Sequence, residues 1–178
     1  MRKMPRPTAL IHPRNPKTPP RGIQIPNPFR IQTSYAIPKT ERAMSGSAIL
    51  IDHYRHPRCR GEVENPARQN VIHNRKCGDR ITMTSRPDDQ GMLQIRFDGQ
   101  GCMYCLASAS ILCSTLSGTN PEEARARIAL FRNWLRDILP EEEGLTDEMR
   151  ALGEVKAFPM RIDCADLAWK CADEMLES

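Results

Sequence analysis

The chain has 178 residues, 39% of them hydrophobic, and a formal charge of +4; that length accommodates one domain of ordinary size but not two large ones joined by a linker. Its longest apolar runs are a handful of residues, far short of the roughly 20 that cross a bilayer as a helix, so a membrane-spanning reading is excluded. Seven cysteines are too sparse for a disulfide scaffold and an odd count leaves at least one unpaired, which points to metal or thiol chemistry in a reducing, cytoplasmic compartment.

Charge is unevenly spread. Residues 1–40 hold eight Lys or Arg and no acid, so the remaining 18 basic and 22 acidic groups leave residues 41–178 at −4. Nine of the fifteen prolines lie in the same stretch, as in Pro19-Pro20 and Pro26-Asn27-Pro28; missing amide donors and a fixed φ block helix and ladder alike. Residues 1–43 are therefore expected to form a disordered basic leader, untranslated or removed, with translation beginning at Met44 and the folded domain over 44–178. The prolines break the amphipathic helix of a transit peptide. One Phe and one Tyr give no stacking pattern for nucleic acid.

Ser47 is a candidate N-cap for a first helix through Ala48-Ile49-Leu50-Ile51 that ends near His56-Pro57. Strand character follows over 70–74, 81–85 and 93–97, where Leu93, Ile95 and Phe97 alternate with Gln94 and Arg96. The turn chemistry of Pro87-Asp88-Asp89-Gln90-Gly91 joins the last two strands as an antiparallel hairpin. Beyond Gly101 the period becomes helical, with Cys102, Leu106, Ala109, Cys113 and Leu116 on one stripe closed by Gly118. Asn120-Pro121-Glu122-Glu123 caps the next helix, whose stripe of Ala124, Ile128, Phe131, Leu135 and Ile138 runs to a stop at Pro140. After an acidic loop come a short helical turn near 147–152 and a last helix from about Pro159, with Cys164, Leu167, Ala168, Cys171 and Met175 on one face. This order predicts an α+β domain in which helices pack on one side of a small three-stranded antiparallel sheet.

Cys77 sits in Lys76-Cys77-Gly78-Asp79 at the turn between the first two strands, where glycine lets the backbone bend so that a thiolate and a carboxylate face one point. Cys102 begins one helix and Cys164 lies near the first turn of another, where the positive end of the macrodipole favours thiolate over thiol. Three thiolates and a carboxylate complete a tetrahedral zinc shell. Periodicity alone fits Cys102 and Cys164 equally well as small hydrophobes on apolar stripes.

Four segments carry a resemblance: 52–58 (Asp-His-Tyr-Arg-His-Pro-Arg), Cys77-Gly78-Asp79, Gly101-Cys102 through Ala107-Ser108-Ala109-Ser110, and 161–170 (Arg-Ile-Asp-Cys-Ala-Asp-Leu-Ala-Trp-Lys). Together they resemble the IscU/NifU N-terminal superfamily of iron-sulfur assembly proteins over about residues 47–176. Intervals of 25 residues from Cys77 to Cys102 and 62 from Cys102 to Cys164, with the Arg-Ile-x-Cys-Ala-x-Leu-Ala-Trp signature, resemble its SufU branch. The IscU scaffold branch has a shorter second interval, usually a histidine where Asp163 stands, and a Leu-Pro-Pro-Val-Lys motif where this chain has Ala157-Phe158-Pro159-Met160-Arg161.

The SufU resemblance implies a zinc-dependent sulfurtransferase. Cys77, Asp79, Cys102 and Cys164 would hold zinc, and Cys77 would accept persulfide sulfur from a SufS-like cysteine desulfurase and pass it toward a downstream iron-sulfur scaffold. Arg161 would give electrostatic support, and no nucleic-acid or membrane partner is implied. The alternative is an IscU-like scaffold that assembles a [2Fe-2S] cluster on the same donors; a third reading is a zinc domain used for binding alone. Departures from the family pattern are Cys59 in place of asparagine, Arg75-Lys76 before Cys77, which adds positive charge for an acidic partner, and Cys105 in place of serine, which makes a zinc-compatible Cys102-x-x-Cys105. Cys113 and Cys171 are expected in the core, and His53 and His56 in structural or partner-facing roles.

Overall fold

In the computed structural model, which describes residues 45–139 and 143–177, the first helix, α1 (Gly46–Arg55), is capped by Ser45, whose hydroxyl accepts the Ala48 amide at 3.3 Å. The cap expected at Ser47 thus falls two residues earlier, because the Ser47 hydroxyl instead donates to the Glu154 carboxylate at 2.9 Å. The basic leader and Pro140 lie outside the described residues.

Strands β1 (Arg68–Asn74), β2 (Asp79–Pro87) and β3 (Leu93–Gln100) form an antiparallel sheet in the order β1-β2-β3. The Asp88 carboxylate accepts the Gln90 and Met92 amides at 2.9 and 2.8 Å and closes the β2–β3 hairpin. Leu93, Ile95 and Phe97 are buried as the alternation required, with Gln94 and Arg96 on the wet face. In this register Asn74 pairs with Asp79 and Arg80 with Gln100, so the start of β2 lies beside both the β1–β2 turn and the far end of β3.

Helix α2 (Met103–Leu116) is more deeply placed than a single apolar stripe implies: it is buried on nearly every side, against α1, β3 and the last helix. Its small residues permit that close approach, and its buried hydroxyls are paired, as burial demands. Ser108 Oγ donates to the Ala165 carbonyl at 2.6 Å and accepts from Trp169 Nε1 at 3.0 Å. Ser110 Oγ accepts the Arg58 amide at 2.8 Å and meets the buried His53 ring at 2.8 Å.

Helix α3 (Pro121–Leu135) begins as expected, with the Asn120 side chain accepting the Glu123 amide at 2.8 Å, but ends before the proline. Asp137 takes a left-handed φ of 56° and the Ile138 amide donates back to the Asn133 carbonyl at 2.9 Å, a helix-ending reversal that leaves Ile138 63% exposed rather than on the buried stripe. A short helix α4 (Asp147–Ala151) continues into a 3-10 turn (Leu152–Ala157), and α5 (Pro159–Glu177) then crosses β1 and β2. Cys164, Leu167, Ala168, Cys171 and Met175 of α5 are all buried, as predicted. No helix among the described residues is long and apolar enough to cross a membrane.

Trp169 of α5 is fully buried and stacks on Phe131 of α3 with ring centroids 4.0 Å apart. Trp169→Ala removes that stack and the Ser108 bond together, and is expected to lower unfolding free energy by about 3–5 kcal/mol, read from the urea midpoint. A second expectation concerns acid. The His53 hydrogen bond to Glu148, at 3.4 Å, holds that carboxyl below its usual range against the opposing effect of burial. A carboxyl lowered in the folded state stabilises fully above its unfolded pKa and loses that contribution as pH falls through the folded value. Urea midpoints of wild type and Glu148→Gln should therefore differ at about pH 6 and converge toward about pH 3.

Candidate metal centre

Three backbone junctions converge at one edge of the sheet. The first is the four-residue turn Arg75-Lys76-Cys77-Gly78, where the Gly78 amide donates to the Asn74 carbonyl at 2.9 Å and Gly78 adopts a φ of 76° that suits glycine. This reversal presents Cys77 at the surface while Asp79, the first residue of β2, is buried at 3% exposure. The second junction joins β3 to α2. Cys102 is the N-cap residue of α2, and its amide donates to Asp79 Oδ1 at 3.0 Å while its Sγ lies 3.5 Å from Asp79 Oδ2. The third is the second turn of α5, where the buried Cys164 Sγ lies 3.6 Å from Cys77 Sγ.

The donor atoms of Cys77, Asp79 and Cys164 lie within 4.8 Å of one another, and Cys102 joins them through Asp79. Zinc with sulfur at about 2.3 Å and oxygen at about 2.0 Å has tetrahedral donor edges of about 3.8 Å between sulfurs and about 3.5 Å between sulfur and oxygen. The observed 3.6 and 3.5 Å are close to those edges, and three sulfurs with one carboxylate form a soft set that suits zinc. Cys77, Asp79 and Cys164 are spaced to fit the ion, and Cys102, in reach of Asp79, is the candidate fourth donor.

Electrostatics follow from the burial. Desolvation works to raise the Asp79 carboxyl, but hydrogen bonds from the Cys77 thiol and the Cys102 amide, with those of Cys164 and Cys102 sulfur, prevail and hold it below the usual carboxylate range. Burial pushes the Cys164 thiol up, and the neighbouring Asp79 and Cys77 add to the effect. Its place in the second turn of α5, not the first, weakens the helix-end preference expected for it. Arg161 is exposed on the same helix, three residues earlier. The Cys164 sulfur beside its guanidinium, with the Asp79 carboxylate nearby, favours the charged form still further.

Of the two positive residues before Cys77, Lys76 finds an acidic partner within the chain: its Nζ lies 3.4 Å from Asp163, which also meets Arg136 at 3.4 Å. Cys105 is fully buried, and burial, with the Asp79 carboxylate nearby, pushes its thiol up. Cys113 and Cys171 are core residues as expected. Cys59 is half-buried at a left-handed φ of 57°, a conformation asparagine tolerates and cysteine does not favour. His53 is buried against Ser110 and Glu148, and His56 pairs with Asp52 at 3.1 Å. Gly101 was not singled out by the sequence for the centre, yet a Cβ there would lie 3.0 Å from Asp79 Cγ and 3.1 Å from Cys105 Sγ. Its signal is position, immediately before a candidate ligand.

Residues 46–175 match the family model described as NifU-like N terminal domain, and the chain belongs to that family. It is 32% identical over 126 residues to the zinc-dependent sulfurtransferase SufU of Bacillus subtilis (strain 168), covering 71% of this chain and 85% of that one. It is 29% identical over 130 residues to the iron-sulfur cluster assembly scaffold protein IscU of Streptococcus pyogenes serotype M1, covering 73% and 81%. The FiSufU crystal structure from Fervidobacterium islandicum AW-1 superposes with a TM-score of 0.66 at 25% identity, covering 72% of this chain and 93% of that one, and shares the fold described above.

Gly101→Ala forces Asp79 and Cys105 to give way by a few tenths of an ångström. Affinity for zinc, measured by competition with a chromophoric chelator, is expected to fall about tenfold or more with little change in far-UV circular dichroism.

Proposed function

We propose that this protein works in iron-sulfur cluster assembly as a zinc-dependent sulfur carrier of the SufU type, accepting persulfide sulfur from a cysteine desulfurase. The observation that carries the reading is the contrast within the donor set. Asp79 and Cys164 are buried, whereas Cys77 stands exposed on a tight turn within 4.8 Å of both. Bound zinc would keep the thiols of Cys77, Cys102 and Cys164 deprotonated and, being redox-inactive, protect them from oxidation.

Cys77 is the group a partner reaches first. Its thiolate forms a bond to the terminal sulfur of the desulfurase persulfide; the old sulfur–sulfur bond breaks and the desulfurase cysteine leaves as a thiolate, so no net oxidation occurs. Arg161, exposed beside Cys164, supplies positive charge next to the sulfur atoms between which negative charge moves. Asp79 and Cys102 are locked together through the Cys102 amide and form the immobile half of the site. The similarity to the Bacillus subtilis SufU, over most of both chains, supports this reading.

A scaffold reading, with a [2Fe-2S] cluster as the cargo of the same four residues, draws on the nearly equal identity to IscU proteins, 29% and 28% for those of Streptococcus pyogenes and Thermotoga maritima. Against it, the position before Cys164 is Asp163, engaged with Lys76 and Arg136. One experiment separates them: the full chain is purified, its zinc and iron are quantified, and stimulation of a cysteine desulfurase is assayed. About one zinc per chain with stimulation abolished in Cys77→Ala is the expected result. Iron-sulfur absorption without stimulation transfers the assignment to the scaffold.

A further inference from the structure

We propose that the cationic cleft beside the Cys77 turn docks an acidic segment of the cysteine desulfurase that donates sulfur, an inference that rests on the sulfur-carrier reading above and names the surface by which that partner is held. The cleft has a volume of about 320 Å³. Arg75 and Lys76 of the β1–β2 turn, Asp163, Asp166 and Lys170 of α5, and Arg136 just past the end of α3 line it. Residues 41–178 sum to −4, yet this cleft gathers four cations against two carboxylates. The two acids do not neutralise it. Asp166 is buried and is taken up by Arg136 at 2.7 Å and by Arg132 at 3.0 Å. Asp163 is shared between Lys76 and Arg136, both at 3.4 Å, and no carboxylate among the described residues pairs with Arg75.

Place and charge together choose the occupant. Arg75 and Lys76 immediately precede Cys77, and Asp163 immediately precedes Cys164, so the cleft adjoins the candidate metal centre and a protein that brings a persulfide to the exposed Cys77 comes to rest beside it. Lys76 keeps 80% of its side chain in water and Lys170 half, so both can receive a partner's carboxylate without first being uncovered. Cations left in excess at the rim of a contact act chiefly on encounter, steering an oppositely charged surface into register. The donor is the partner that meets Cys77 while its turn is still tied through Lys76 to Asp163. A carboxylate arriving at Arg75 and Lys76 competes with Asp163 for the lysine and loosens that tie as the persulfide comes into reach. Docking thereby favours release of Cys77 toward the donor.

The test uses the zinc-loaded full chain and the desulfurase of the stimulation assay, with binding followed by calorimetry and the half-stimulating concentration read separately. Arg75→Glu and Lys170→Glu are each expected to raise both the Kd and the half-stimulating concentration about fivefold or more at low salt, with the maximal stimulation reached at saturation retained. The difference from wild type should shrink in about 0.5 M NaCl, where exposed charges are screened beyond a few ångströms. Arg96→Glu takes the same charge from the wet face of β3, outside the cleft, and should shift neither quantity. Lys170 lies six residues beyond Cys164 on α5, so its variant reads the cleft even where Arg75→Glu disturbs the Cys77 turn. Unshifted binding in Lys170→Glu, or an equal shift in Arg96→Glu, would overturn the docking site and leave sulfur transfer standing. Weakened binding in the cleft variants of a chain whose wild type binds the desulfurase without stimulating it would uphold the docking site while the sulfur-carrier reading failed. A wild type that binds a single-stranded oligonucleotide but no desulfurase would give the cleft to nucleic acid and overturn the proposal.

Discussion

The contact between α2 and α5 sets the geometry on which the rest depends. Ser108, six residues beyond Cys102, donates to the carbonyl of Ala165, the residue after Cys164, at 2.6 Å, and accepts from Trp169 Nε1 at 3.0 Å. These atoms are buried, where an unmade hydrogen bond costs about 1–3 kcal/mol, so the two helices have one favourable relative position rather than a range. Phe131, stacked on Trp169, carries the same constraint to α3. A helix apolar on all sides does not by itself choose how it lies against its neighbours; the serine and the indole do. With the helices held, Cys102 and Cys164 each come within reach of Asp79.

The sheet supplies the other half of the centre. Because Asn74 pairs with Asp79 and Arg80 with Gln100, the β1–β2 turn and the β3–α2 junction are neighbours, and Asp79 sits where both can reach it. Beside this centre runs a line of ion pairs: Arg132 with Asp173 and Asp166, Asp166 with Arg136, Arg136 with Asp163, and Asp163 with Lys76. Asp166 is only 3% exposed and has two guanidiniums against it, whereas the Lys76 pair is largely in water and worth little in stability. The line therefore grades from a rigid inner pair to a loose outer one. The turn that carries Cys77 is attached at the loose end, which suits a residue that must leave its place and return.

Buried donors, an exposed nucleophile and a surface cation form a consistent electrostatic arrangement. Desolvation raises the free energy of every charge in the cluster, and the hydrogen bonds to Asp79 offset that for the carboxylate. For the thiols the compensating charge has to come from a cation, whether from Arg161 at the surface or from a metal among the four donors. The clustering of sulfur around a carboxylate is in this sense unfavourable on its own and favourable with a cation bound.

Much of the architecture was legible in the sequence, because local rules decide it: strict alternation over Leu93 to Phe97 makes a half-buried strand, and Asn120-Pro121 with Glu123 makes a helix start wherever it occurs. The candidate donors were legible through motif resemblance and spacing, and the turn at Gly78 through its glycine. Other features were decided by contacts distant in the chain. The cap moved from Ser47 to Ser45 because Glu154, over a hundred residues later, takes the Ser47 hydroxyl. The end of α3 was set by a left-handed Asp137, which no proline signalled. The closeness of Gly101 to both Asp79 and Cys105 exists only once β2, β3 and α2 are assembled. The sequence by itself determined which elements form and which residues have the chemistry to bind a soft metal. Tertiary structure alone decided how closely the candidate donors approach and which of them are buried, because that depends on strand register and helix packing between segments up to 87 residues apart, where no local propensity acts.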